Sequence, residues 1–422
     1  MSVRVSPSEA PPAGTSAGDA PPPSSLRDRR QTARTSQFSR RAKDYVTLRD
    51  NTVVEVIYDP SRGKVGLRGS HPPLSWDRTS PPIAVVGDRH VFRVAVGAEE
   101  PLEIKVVRDD DEWAGGRNYT LHSGDHRRIE PYFDRHSPEL REGLSIEVDG
   151  QTIRYDVLLP PSYTEQEHKR YSVLYVLDGQ SLWSHSKDPF GVWGVEKVFS
   201  SMYDLGAIEE VIVVGVHSSD DRLNKLSPVP DPEHGGGGGP RFLAAIADRL
   251  RPHVDSTFRT RTGPDATAIL GSSMGGLFAF FAGWTRPDVF GKAACLSSAF
   301  WWANRWAVRA VETSVGRGPK TIFYLDSGAA PTVLEPDANV RDGFHHTQSM
   351  FRALVRAGFA LGTDVHRLVF PGQVHDAHAW SSRIGLPLQL LFPPEIQTAS
   401  AAAVAHAAAP WTDARSRKGA TG

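Results

Sequence analysis

Cysteine is almost absent from this sequence: Cys295 stands alone among 422 residues, so no intrachain disulfide can form. It lies in the apolar run KAACLSSAF, where a free thiol is expected to be a small buried hydrophobe. No apolar run approaches the roughly 20 residues that cross a bilayer. Charge excess is missing too. The formal net charge of −1 excludes the broad basic surface that nucleic acid or an anionic membrane demands. No H-E-x-x-H or C-x-x-C pattern occurs, so neither metal nor cofactor is implied. The opening MSVRVSPSEAPPAG has no apolar stretch after its Arg, does not read as a secretory signal, and leads to a cytoplasmic expectation.

What is present divides by style. Residues 1–42 are rich in Pro, Ser, Ala and Arg without hydrophobic period, and such a segment cannot offset its ordering entropy. It is expected to be a disordered tail, as is 397–422, Ala-rich and then basic. Between 43 and 135 short runs such as TVVEVIYD, HVFRVAV and PLEIKVVRD alternate with turn residues, which predicts a small antiparallel β-sandwich. IEPYFDRHSPELREG reads as a linker into a third region, 136–396. There SIEVDGQTIRYDVLLP predicts a hairpin turned at Asp149-Gly150. Near-continuous apolar runs follow (SVLYVLDG, EEVIVVGVH, ATAILGSS, GKAACLSS, KTIFYLDSG), separated by helical stretches such as RFLAAIADRLRPHV. That alternation predicts an α/β fold whose mostly parallel sheet is covered on both faces, with chemistry at the carboxyl ends of the strands.

The most specific motif falls at such an end. Gly271-Ser272-Ser273-Met274-Gly275-Gly276 follows ATAIL and precedes LFAFFAGW, which is G-x-S-x-G in strand–turn–helix context. The glycines let the backbone turn sharply, and the following helix aims its first N–H groups at developing negative charge. Ser273, central between Gly271 and Gly275, is the candidate nucleophile rather than Ser272, and the fold expected is the α/β-hydrolase fold. In that fold the order is Ser, acid, His. His375, in the loop VHDAHAW after HRLVFPGQV, is the candidate base, with His378 its rival. For the acid, Asp326 ends a strand and reads as a turn residue, while Glu335, Asp337 and Asp342 all remain open. The oxyanion donors expected are the Met274 amide and the Gln180 amide, the latter in the turn Asp178-Gly179-Gln180.

These residues resemble the enterochelin esterase-like branch of the esterase D family, over about Ser145 to Pro394. The resemblance rests on YVLDGQ, on Gly271–Gly276, on the run Ser297 to Trp302 and on His375 to Trp380. The family pattern of LDSG, then Asp-Gly, then Thr matches Leu325–Gly328, Asp342-Gly343 and Thr347, and so implies Asp342 as the acid. Related mycolyltransferases imply the Gln180 amide as an oxyanion donor. Arg222 matches a family Arg, but the Glu expected shortly after it is missing, and PVPDPEHGGGGGPRF runs on as a Gly-rich rim loop. The resemblance therefore implies esterase chemistry without fixing a siderophore substrate. The N-terminal region resembles a starch-binding-type carbohydrate module or an immunoglobulin-like domain through Trp76, Lys105, Trp113 and Asn118.

Two classes of function stay open. One is a serine carboxylic-ester hydrolase that passes through an acyl-enzyme on Ser273, with acyl transfer as its variant. Its substrate would be a small-molecule or glycan ester, with Trp301, Trp302, Trp380 and Arg222 at the pocket. The other is a carbohydrate-binding or scaffolding protein with an inactive hydrolase domain. No nucleic-acid or membrane partner is expected in either case.

Overall fold

The computed structural model describes residues 52–189, 191–218, 221–314, 318–329, 342–394 and 396–408. The tail expected over 1–42, and most of that over 397–422, lie outside these. The first eight strands are short: β1 (Thr52–Ile57), β2 (Val65–Gly69), β3 (Ala84–Val86), β4 (Arg89–Val94), β5 (Leu102–Arg108), β6 (Glu112–Trp113), β7 (Tyr119–Leu121) and β8 (His126–Ile129). They make two small sheets, β3-β4-β1-β8 and β2-β5-β6, with β7 also on β5. Alternate apolar residues of both sheets, among them Val54, Val56, Phe92, Ile104 and Val106, meet in one buried core. The pairing is not wholly antiparallel, for β8 runs parallel to β1. Of the residues that carried the carbohydrate-module resemblance, Lys105 is buried and donates to the carbonyls of Gly115, Gly116 and Arg117. The Trp76 and Trp113 rings lie 6.1 Å apart with their planes tilted by 53°, and the Arg68 guanidinium sits over Trp113.

The stretch expected to be a linker is instead packed. Pro131, Tyr132 and Phe133 are buried, and the Glu165 carboxylate accepts from Phe133 N at 2.6 Å, Asp134 N at 2.9 Å and the Tyr58 hydroxyl at 2.9 Å. A buried carboxylate must be paired, and this one ties the N-terminal sheets to the body that follows. The C-terminal segment also departs from expectation. Thr398 bridges Arg127, and Ser400 donates through N and Oγ to the buried Glu55 carboxylate. Ser400 Oγ also caps the helix Ala401–Ala408, whose Ala403 packs with Val53 and Val91. Small alanines allow this close approach, and composition alone hid the cap.

The central sheet has the order β18-β17-β16-β15-β11-β12-β10-β9. Its members are β9 (Glu139–Val148), β10 (Gln151–Leu159), β11 (Ser172–Leu177), β12 (Val211–Val216), β15 (Thr267–Ser272), β16 (Lys292–Leu296), β17 (Ile322–Ala329) and β18 (Val365–Pro371); β13 (Pro230–Asp231) and β14 (Gly235–Gly236) form a separate hairpin. β9 and β10 are the antiparallel edge, joined at Asp149-Gly150 with φ of 49° and 75°, as a primed two-residue turn requires. The other six strands are parallel. Alternation sorts each strand between two cores: Val173, Tyr175 and Leu177 face one, Leu174 and Val176 the other. RFLAAIADRLRPHV is helical throughout, but Ile246–Leu250 takes a π turn between two α segments. Among the described residues no helix is long and apolar enough to cross a membrane.

Glu165→Ala should lower stability by about 2–4 kcal/mol, because two amides and a tyrosine hydroxyl lose a charged acceptor in a buried setting. Urea melts of the variant beside the wild type measure this.

Candidate active site

β15 delivers the G-x-S-x-G segment to the carboxyl end of the sheet. Ser273 takes φ 55° and ψ −119°, a conformation that costs a non-glycine residue on the order of 1–3 kcal/mol. The surroundings impose it: Ser273 N donates to Leu296 O at 2.9 Å, and its carbonyl accepts from Leu277 N at 3.1 Å and Ala299 N at 2.9 Å. Two glycines are sterically required. A Cβ at Gly271 would lie 2.5 Å from the Gly275 carbonyl, and one at Gly276 would lie 2.2 Å from Ser298 Oγ. Gly275 is different, since a Cβ there meets nothing nearer than Asp178 Oδ2 at 3.4 Å. Ser272 is buried in the strand, whereas Ser273 is partly exposed at the head of the helix Met274–Thr285.

The turn after β11 comes alongside. Asp178 adopts φ 60°, and its carboxylate takes a two-point contact from Arg222, Nε to Oδ1 and Nη2 to Oδ2, both 2.7 Å. Ser218 Oγ donates to the same carboxylate, and Ser218 N to Gln180 Oε1 at 3.2 Å. Arg222, expected to bind substrate, is therefore committed to holding this turn. Among the described residues the amides of Gln180 and Met274 have no hydrogen-bond acceptor, while Ser181 N and Leu182 N are taken by the turn itself.

His375 stands in the loop after β18, and Asp376 caps the helix Ala377–Arg383 by accepting from Ala379 N at 2.7 Å. His375 Nδ1 is 2.7 Å from Asp342 Oδ1. Asp342 is fully buried, and its other oxygen accepts from Ser297 Oγ at 2.7 Å, from Gly328 N and from Arg383 Nη2 at 3.3 Å. Asp342 and His375 are thus brought together, while His378 is exposed on the helix and has no part in the pair. Glu335 and Asp337 lie outside the described residues. The Ser273 hydroxyl has no hydrogen-bond partner among the described residues, an arrangement familiar in unliganded sites, where such contacts tighten on binding.

Sequence reasoning missed Arg383 and Ser297. Arg383 is 2% exposed, donates to Gln373 Oε1 at 2.7 Å, Asp326 Oδ1 at 3.1 Å and Ser297 Oγ, and lies over the Phe370 ring. The only available signal was its place eight residues after His375, one turn past Trp380 on the same short helix. Asp326, read as a turn residue, is fully buried in this network and accepts from Tyr324 OH at 3.0 Å. Burial pushes its carboxyl up to about 6, against the opposing pull of Arg383 and Tyr324.

The tryptophans part company. Trp301 is 40% exposed and meets His234 of the Gly-rich loop edge on. Trp302, expected at the pocket, is a core residue, 1% exposed, with Nε1 donating to Val229 O at 2.8 Å. Trp380 is likewise buried: its indole stands perpendicular to His375 at 5.0 Å and donates to Ser297 Oγ at 2.9 Å. It supports the histidine from behind. Among the described residues there is no cluster of three metal-ligating side chains.

Comparison with known proteins follows the same lines. A family model described as "Putative esterase" matches residues 147–384, more than half of the chain. The chain belongs to this esterase family. The match together with the six parallel strands makes the fold α/β-hydrolase-like. An uncharacterized protein of Bacillus subtilis (strain 168) is 26% identical over 157 residues, 36% of this chain and 58% of that protein. An iron(III) enterobactin esterase of Dickeya dadantii (strain 3937) is 31% identical over 152 residues, 33% of this chain and 32% of that one. The chain thus spans between a third and about three-fifths of these relatives' own lengths. A crystal structure of a ferric enterobactin esterase from Salmonella typhimurium is similar over 78% of this chain and 88% of its own, at 16% identity and a TM-score of 0.46.

Arg383→Met should cost about 3–5 kcal/mol in a urea melt, because it strands two buried carboxylates without their shared cation. Asp326 generates a pH dependence of its own. Its folded form holds the proton more tightly than the unfolded chain, so its contribution is full below 3.8 and is lost as pH rises through about 6. Melts at stepped pH should show that decline in the wild type and a flatter profile in Asp326→Asn.

Proposed function

We propose that this esterase-family chain is a serine carboxylic-ester hydrolase that works through an acyl-enzyme on Ser273. The observation that carries the reading is the contact of His375 Nδ1 with buried Asp342 at 2.7 Å, together with a serine held at φ 55° on a strand-to-helix turn. Asp342 accepts a hydrogen bond from Nδ1–H, which keeps the proton on Nδ1 and leaves Nε2 as the basic nitrogen. As Ser273 Oγ attacks the ester carbonyl, Nε2 takes its proton. The tetrahedral oxygen collects charge and is held by the Met274 and Gln180 amides, both without an acceptor, at the positive end of the helix Met274–Thr285. Collapse expels the alcohol, which leaves with the proton from Nε2. Water then repeats the sequence on the acyl-enzyme and frees the acid.

The substrate class proposed is a small-molecule ester, with siderophore esters first among those to test. The naming of the Dickeya dadantii relative as an iron(III) enterobactin esterase supports that choice, as does the exposed Trp301 face beside His234. The N-terminal sheets are proposed to form a β-sandwich domain over residues 43–135. Their resemblance to a carbohydrate module has little support as a binding site, since Lys105 is consumed by three carbonyls and Asn118 contacts only Glu103.

Ser273→Ala should reduce release of nitrophenol from short-chain nitrophenyl esters by at least about a thousandfold, with the fold intact by circular dichroism. Asp342→Asn should lose roughly as much, through the wrong imidazole tautomer. An unchanged rate in Ser273→Ala overturns the assignment. A silent wild type that also fails to react with a fluorophosphonate points instead to an inactive, binding-only module.

A further inference from the structure

One cavity lies well away from the strained serine. It has a volume of about 490 Å³ and sits where the N-terminal sheets meet the amino ends of β11 and β12. Its walls include Lys169 and Arg170, just before β11, and Glu209 and Glu210, just before β12. Ser273 and Gln180 follow the opposite ends of the parallel strands, so the length of a six-residue strand, roughly 20 Å, separates the two places.

The charges of this cavity do not balance. Three carboxylates line it, and each already has a basic partner: Glu130 with Arg128 at 2.7 Å, Glu210 with Lys169 at 2.6 Å, and Glu209 with Arg261. Three further guanidiniums, Arg117, Arg127 and Arg170, have no carboxylate partner among the described residues. Arg127 and Arg170 reach only main-chain carbonyls, Thr120 O and Thr260 O, each at 3.3 Å. The excess of three positive charges stands in a chain whose formal net charge is −1.

The site is also built rather than incidental. The buried Lys105 ammonium gathers the carbonyls of Gly115, Gly116 and Arg117 and so fixes the loop that carries Arg117. Gly206, at φ 55°, lies against the same side chain; a Cβ there would come 2.7 Å from Arg117 Nε. On the wall stands Tyr132, 8% exposed, whose hydroxyl has no hydrogen-bond partner among the described residues. A tyrosine hydroxyl that makes no hydrogen bond on a cavity wall can donate to a ligand oxygen placed opposite it. Guanidiniums favour planar or tetrahedral oxyanions, which they can meet with paired N–H donors. The volume is in the range that holds a small metabolite.

We propose that this cavity is a second site, separate from the ester-cleaving one, which binds a small polyanion carrying phosphate or carboxylate groups through Arg117, Arg127, Arg170 and the Tyr132 hydroxyl. Isothermal titration of the full chain at low ionic strength, with inorganic pyrophosphate in one arm and citrate in the other, tests it. The expected result is saturable binding of at least one probe. That binding should be at least tenfold weaker in Arg117→Ala/Arg127→Ala and measurably weaker in Tyr132→Phe. Binding of pyrophosphate alone identifies a phosphate ligand, and of citrate alone a carboxylate. Both variants should retain the wild-type circular dichroism spectrum and nitrophenyl ester turnover, since none of these residues approaches Ser273. Absence of saturable binding for both probes overturns the proposal, as does equal affinity in wild type and double variant.

Discussion

Asp326 and Asp342 stand buried side by side at the carboxyl ends of the central sheet, and one guanidinium, that of Arg383, reaches both. Two carboxylates against one cation leave an excess of one negative charge in a dry setting, which is costly unless something nearby takes up positive charge. The raised proton affinity of Asp326, set by its burial, is one response. His375 lies against Asp342 and is partly open to solvent. In the proposed mechanism the imidazolium that forms as Ser273 attacks brings the cluster to neutrality, so the moment of bond formation is also the moment of electrostatic balance.

The same cluster fixes geometry. Ser297 Oγ joins Asp342, Trp380 and Arg383, and Trp380 stands against the His375 ring. The histidine loop is thereby fastened to β16 and β17 even though it arrives from β18. On the other flank Arg222 clamps Asp178, which sets the turn whose Gln180 amide is left without an acceptor. These shared hydrogen bonds restrain the side chains, so two amides and one imidazole keep their places without substrate. The strained backbone of Ser273 is held by the same frame, through main-chain bonds to Leu296 and Ala299.

Backbone hydrogen bonds to buried carboxylates hold the N-terminal part of the molecule. Glu165 and Glu55, both buried, draw the N-terminal strands and the C-terminal alanine segment onto one body. Where those surfaces meet, arginines collect faster than carboxylates. Two chemically distinct places result: the carboxyl end of the sheet, with an excess of negative charge in its buried cluster, and an amino-end cavity with an excess of positive charge.

Local pattern made a good part of this legible. G-x-S-x-G between a strand and a helix singles out Ser273 because only small neighbours permit that turn, and Gly271 and Gly276 do prove to lack room for a Cβ. Asp149-Gly150 announces a hairpin, and apolar runs between helices announce a parallel sheet, since each is a property of neighbouring residues. The contacts that sequence reading missed all join distant positions. Ser297 meets Asp342 and Arg383 across 45 and 86 residues, and Ser400 meets Glu55 across 345. Whether Trp302 and Trp380 face a pocket or a core depended on what packed against them, and an indole carries no mark of which. By itself, then, the sequence determined the strand and helix periods and the turn that bears the serine, because backbone sterics act locally. Only the tertiary structure decided which carboxylate meets His375, which arginine neutralises it and where cations are left over, because charge is settled by proximity in space.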